Sequence, residues 1–303
     1  MSARHDARFW QGMALALLGA IGFSGKAILA KLMYRHGVDA VTVVAWRMLL
    51  ALPLFLLMAW WGLRRQTGLA PLTRRDGAVM VALGFVGYYL SSMLDFYGLM
   101  HISASLERLI LYLGPTFVMA LSVLVLGHRV SRRQWVAAAL SYAGVMLVFG
   151  HEVGQQGPQV GLGALLVLGS ALSYSVYLLS SGQVVARLGS WRLTGLASTA
   201  ACVFCVLHFM AVKPWSALAV PPEVMGLSLL NATACTVLPV LCVMMSIERL
   251  GSSLSAQVGM VGPLSTIALG VWLLDEPFTG WLLAGTVLVL LGVALAARKT
   301  SME

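Results

Sequence analysis

Ser105-Leu-Glu-Arg-Leu-Ile-Leu-Tyr-Leu-Gly114-Pro115 and Ser253-Leu-Ser-Ala-Gln-Val-Gly-Met-Val-Gly262-Pro263 are two versions of one segment in a hydrophobic chain. The offsets 253 − 105 and 262 − 114 are both 148, and Gly144-Val145 recurs as Gly292-Val293 at the same distance. The chain therefore reads as a duplicated unit, residues 1–150 and 151–303. In each copy the Gly-Pro pair interrupts an apolar run, where proline removes a backbone donor and disturbs regular helix. Freed backbone at membrane depth survives only against protein or a wet cavity, so a matched pair of interrupted spans points to a solute site near the midplane.

Of the 303 residues, 59% are apolar and 10% charged, too little polar surface to enclose a water-soluble core of this size. Apolar runs of about 20 residues, enough to cross roughly 30 Å of hydrocarbon, occur near 10–32, 40–62, 77–99, 103–126, 134–150, 161–183, 193–212, 225–247, 252–274 and 280–297. The expected fold is an all-α polytopic membrane protein of ten helices with short connections. Five spans per copy is an odd number, so the second copy enters the membrane from the opposite side. The repeats are then inverted.

The formal charge of +9 does not indicate nucleic acid, because of where the cations fall. Ten crossings place both chain ends on one side. That side receives Arg4, Arg8, Arg64, Arg65, Arg74, Arg75, Arg129, Arg132, Arg133, Arg187, Arg192, Arg249, Arg298 and Lys299, against Lys31, Arg35 and Lys213 on the other. Such an excess of basic residues is the positive-inside signature and places both termini in the cytoplasm of a bacterial-type inner membrane. The polar start, Met1 to Phe9, leads into an apolar run too long for a cleaved signal peptide. Trp10, Trp60, Trp61, Trp135, Trp191, Trp215 and Trp281 fall near span ends, as interfacial anchors do. Trp46 and Trp272 lie deeper. The expected surroundings are the lipid bilayer and a small-molecule solute, with a monomer sufficient. No segment matches the Gly-x-x-x-x-Gly-Lys-Ser/Thr nucleotide loop, so neither a nucleotide nor a cofactor is expected. Cys202-Val-Phe-Cys205 with His208 has metal-like spacing, but it sits in an apolar span without a second ligand cluster.

Tyr97-Gly-Leu-Met-His101-Ile-Ser-Ala-Ser105 before Gly114-Pro115, and Glu248-Arg-Leu-Gly-Ser-Ser253 before Gly262-Pro263 and Leu274-Asp-Glu276, resemble EamA-type transporters of the drug/metabolite transporter superfamily. Lys26 in span one and Ala45-Trp-Arg47 in span two resemble the same family, and the resemblance runs from about residue 10 to 297. It implies a ten-helix fold of two five-helix inverted repeats and movement of small metabolites or drugs, often outward. One departure is visible. Where the family commonly has Gly-Glu after the fourth helix, this chain has Gly127-His128, while the second copy keeps Glu276.

Three cations remain inside spans, Lys26, Arg47 and Arg108, facing the carboxylates Asp95 and Glu107. A charge near the bilayer centre costs at least about 2.5 kcal/mol, so these groups are expected to face a cavity or one another. Snorkelling to the interface is the alternative for Asp95, Glu107 and Arg108. Gly84, Tyr88, Ser91 and Asp95 share a helical face, as do Ser170, Tyr174, Tyr177 and Ser181. Tyr88, Tyr174 and Tyr177 therefore join the candidate cavity, with Asn231 and Gln257, two amides that hydrocarbon cannot satisfy. The expected function is secondary transport of amino acids, related metabolites or amphipathic drugs by alternating access, with export favoured by the family. A lipid or lipid-linked carrier translocase is the nearest alternative. An intramembrane serine protease is a remote one, resting on Gly22-Phe-Ser24-Gly25 with His208 or Lys26 as base.

Overall fold

A computed structural model of the chain describes residues 2–65, 71–126, 131–250, 258 and 262–297. Gln257 and His128 lie outside the described residues. Helix α1 runs Ser2–Arg35, α2 Ala40–Arg65, α5 Arg132–Gln156, α6 Gln159–Leu188, α7 Ser190–Val212 and α10 Gly280–Ala297. Helix α3 is built from Arg74–Gly84, a π-helical turn Phe85–Leu90, and Ser91–Leu99; α8 repeats the pattern as Pro222–Ala232, Thr233–Val237 and Leu238–Leu250. Helix α4 comes in two pieces, Ala104–Leu111 and Gly114–Leu126, and the described part of α9 is Gly262–Leu274. No strand occurs among the described residues.

Eight of these helices are long and apolar enough to cross a membrane, and Leu264–Leu274 and Gly280–Leu295 are shorter apolar helices. The chain is an all-α polytopic membrane protein. Helices α5 and α6 extend beyond the predicted spans at both ends. Left-handed Gly157 and Gly189 stop α5 and α6, a conformation that glycine adopts without Cβ strain.

The packing is reciprocal between the copies. Helix α1 packs on α8 and α9, and its counterpart α6 packs on α3 and α4; α2 pairs with α7, and α5 with α10. The two π-turns obey the sequence offset, since 233 − 85 is 148. So does the α5–α10 seam: a Cβ on Gly144 would lie 2.5 Å from the Gly285 carbonyl oxygen, and one on Gly292 2.6 Å from that of Ala137, the residue equivalent to Gly285. Small residues let these two backbones touch, which in lipid is a main source of helix association.

The two Gly-Pro pairs are also matched across the copies. Helix α4 leaves regular geometry at Tyr112-Leu113 and restarts at Gly114, and the described part of α9 begins at Gly262. The Ser175 hydroxyl on α6 donates to the Gly114 carbonyl at 3.1 Å, and the Ser24 hydroxyl on α1 donates to the Gly262 carbonyl at 2.8 Å. Each Gly-Pro pair thus receives a hydrogen bond from a serine on the opposite copy's first helix.

Candidate functional site: a buried charge cluster between the repeats

Five ionisable side chains from α1, α2, α3 and α4 gather in one region of the bundle. Lys26, on α1, forms an ion pair with Asp95 on α3, and its ammonium lies 3.6 Å from Oε1 of Glu107 on α4. The side chains of Asp95 and Glu107 are 2% and 0% exposed, so neither snorkels to the interface. Asp95 Oδ1 and both Glu107 oxygens have no hydrogen-bond partner among the described residues. Arg108 takes a separate route: its Nε donates to Thr266 Oγ1 on α9 at 2.9 Å and its Nη2 to Ser24 Oγ at 3.1 Å. The cluster therefore reaches Gly262 of the second copy through Ser24.

Arg47, on α2, is buried and forms no ion pair with a carboxylate among the described residues. Its Nη2 donates to Ser92 Oγ at 2.8 Å, its guanidinium lies 4.6 Å from the centre of the Phe96 ring, and its Nε has no partner. The Lys26 ammonium stands 5.6 Å from the same ring. Phe96 is thus a shared π-face between two cations, a favourable contact when the cation has lost its water. Cys235, in the π-turn of α8, packs in the same hydrophobic core as Phe96 and Met48. Asn231, one turn earlier on α8, is fully buried, and neither atom of its amide finds a partner among the described residues.

The predicted aromatic group lies elsewhere. Tyr88, Tyr174 and Tyr177 pack as a trio between α3 and α6, with the Tyr88 and Tyr177 hydroxyls 3.2 Å apart and the Tyr174 and Tyr177 rings stacked at 5.6 Å. Ser91 pairs with Ser170 on the same seam at 3.2 Å. Tyr88 and Ser91 thus face α6 while Asp95 faces α1, although regular spacing puts all three on one face.

A second polar cluster lies at the end of the bundle away from Ser2 and Ala297. The Glu276 carboxylate accepts the Ala104 N–H at 2.7 Å, the Ser105 N–H at 3.2 Å and the Ser105 hydroxyl at 2.6 Å. Glu152 accepts the N–H of Ser103 at 3.3 Å and also its hydroxyl. Lys31 lies within electrostatic reach of both carboxylates, and Arg35 bonds the Leu274 carbonyl. Asp275 takes a left-handed conformation, φ 57°, which ends α9 and turns Glu276 back onto α4. At the same end Lys213 pairs with Asp39 at 3.0 Å, and Asp39 caps α2 through the Val41 N–H at 3.0 Å and the Thr42 hydroxyl at 2.9 Å. Partial burial works to raise Asp39, but Lys213 and Thr42 outweigh it and hold the carboxyl below its ordinary value.

Sequence reasoning missed Ser92, Phe96, Glu152 and the role of Lys31. Phe96 and Ser92 carry no charge, and only their placement at i and i+4 beside Asp95 hints at a shared face. The protease dyad finds no support in the geometry: Ser24 bonds Gly262 and Arg108, and His208 Nδ1 pairs with the Tyr89 hydroxyl at 2.7 Å. Trp272 is 77% exposed on the outer surface of the bundle.

Comparison with known proteins places this arrangement. The EamA-like transporter family model matches twice, over residues 10–150 and 161–298. A protein of Bacillus subtilis (strain 168), described as the uncharacterized transporter YcbK, is 30% identical over 273 residues, covering 88% of this chain and 86% of its own length. Another from that organism, the uncharacterized transporter YetK, is 24% identical over 242 residues, covering 77% of this chain and 72% of its own. One crystal structure shares the fold with a TM-score of 0.67 at 17% identity, over 94% of this chain and 96% of that one. The chain is a membrane transporter and belongs to the EamA-like family of the drug/metabolite transporter superfamily.

Proposed function

We propose that this transporter moves small organic solutes, amino acids, related metabolites or amphipathic drugs, as a secondary carrier, outward under physiological conditions. The observation that carries the reading is the Lys26–Asp95–Glu107 cluster with Arg47 beside it. Five ionisable groups gather there, Arg47, Asp95 and Glu107 buried and Lys26 and Arg108 half-buried, and stability does not account for them, because hydrophobic replacements of buried ion pairs are commonly neutral or stabilising. Intramembrane charges of this kind mark solute paths.

The proposed mechanism is rocking of residues 1–150 against 151–303 about this cluster. With cytoplasmic termini, the Glu276 contact to Ala104 and Ser105 holds the outer end shut, and the described conformation is closed to the outside. Lys26 alternates between partners as the halves exchange, while Gly114-Pro115 and Gly262-Pro263 supply the irregular helix that lets α4 and α9 bend. The test is a flux screen in proteoliposomes over amino acids and amphipathic cations, with and without a pH gradient. Flux of at least one such solute that falls in Lys26→Ala supports the reading. Flux absent for every organic solute, or unchanged in Lys26→Ala, contradicts it.

A further inference from the structure

The charges of the central cluster do not balance. Lys26, Arg47 and Arg108 face two carboxylates, Asp95 and Glu107, and both carboxylates flank Lys26. Arg108 is satisfied by the Thr266 and Ser24 hydroxyls. Arg47 is left with one hydroxyl and one ring face, although it is only 3% exposed and its Nε points at no acceptor among the described residues. A guanidinium offers five N–H donors in a planar fork matched to an oxyanion, and a buried charge without a counter-ion is costly. Asn231 on α8 poses the same problem. Its amide is completely enclosed, with both oxygen and nitrogen unpartnered among the described residues, on the helix that packs against α1 and α2, and its neighbours Ala232 and Cys235 share a hydrophobic core with Met48 and Phe96. Hydrocarbon satisfies neither group.

Resting on the transport reading above, we infer that the transported solute carries an anionic oxygen group, a carboxylate in the simplest case, and that Arg47 rather than Lys26 receives it, with the Asn231 amide as second donor. Lys26 is held by its two carboxylates and is the internal counter-charge of the empty carrier. Arg47 is the cation in surplus. The anion brings the cluster from a net charge of +1, with all five groups ionised, to zero. The Phe96 ring lies against the guanidinium, 4.6 Å from its centre. Solutes whose only charge is positive fit this site poorly, since they would add to the surplus.

The test needs no knowledge of the natural solute. Purified, detergent-solubilised protein is heated with benzoate or acetate, and in parallel with benzamide or acetamide, which match them in shape without the charge. The expected result is a saturable rise of the melting temperature with the carboxylates and not the amides. Arg47→Gln weakens the apparent affinity by about tenfold or more, the loss expected for a hydrogen bond to a charged group. Arg47→Lys, which keeps the charge, retains part of the shift, and Arg64→Gln, on the loop-side end of α2, retains all of it. Equal shifts with acids and amides, no shift with either, or a shift that survives Arg47→Gln but disappears in Lys26→Gln would each overturn the assignment. Because this assay reads binding, it fails or succeeds independently of the flux screen that tests transport.

Discussion

Glu276, at the end of α9, bonds the backbone and hydroxyl of Ser105, at the start of α4, so one carboxylate from the second copy caps a helix of the first. Exposed N–H groups and the positive end of the helix dipole both favour an anion there. Lys31 and Arg35 on α1 surround the contact, and α1 also carries Lys26 at the central cluster. One helix thus runs from the charge cluster to this contact.

Glu276→Gln keeps the shape but removes the charge, which weakens a cap worth about 0.5–2 kcal/mol. In a cysteine-free background with Leu106→Cys as reporter, it should raise labelling by a membrane-impermeant maleimide several-fold. Leu106 is fully buried in the described conformation. Unchanged labelling would mean that this contact does not hold the end shut.

Lys26→Ala leaves Asp95 and Glu107 buried without their cation and should lower the unfolding free energy by about 3–5 kcal/mol, the range for breaking a buried pair. Adding Asp95→Asn should return a large part of that loss, because the uncompensated carboxylate is gone. Thermal melts of both single variants and the double variant measure the coupling. Additive losses would show that Lys26 and Asp95 do not interact.

Gly144 and Gly292 occupy equivalent places on the α5–α10 seam, and a side chain on either meets backbone. Valine at each position should cost a similar amount, at least about 1–3 kcal/mol from overpacking. Comparison of the two melts checks the equivalence. A loss at one position only would separate the copies.

Asp39 has a carboxyl held below its ordinary value by Lys213 and Thr42 against the effect of burial. A depressed carboxylate contributes stability above its unfolded-state value, about 3.9, and loses that contribution as pH falls through the lower folded-state value. Wild type should therefore melt above Asp39→Asn at neutral pH, and the two curves should converge below about pH 4. A gap that is independent of pH would assign the contact to shape alone.

The architecture was legible because duplication and hydropathy both act at long range: the 148-residue offset and ten apolar runs need no knowledge of side-chain contacts. The charged residues were legible for a related reason, since Lys26, Arg47, Asp95 and Glu107 are expensive wherever they sit in lipid. Their pairing was not. It depends on which neighbour each residue of α3 meets, Tyr88 and Ser91 on α6 but Asp95 on α1, and spacing along the chain does not distinguish them. The role of Glu276 required knowing that α9 meets α4. By the same offset the first copy presents His128, outside the described residues, where the second presents Glu276.

The most direct test is counterflow in proteoliposomes preloaded with an unlabelled carboxylate-bearing amino acid, comparing wild type with Lys26→Ala and Arg47→Ala at equal reconstituted amounts. The account predicts accumulation of the labelled solute by wild type and a fall to the protein-free background in both variants. Equal accumulation in all three would remove the buried charge cluster from the path of transport.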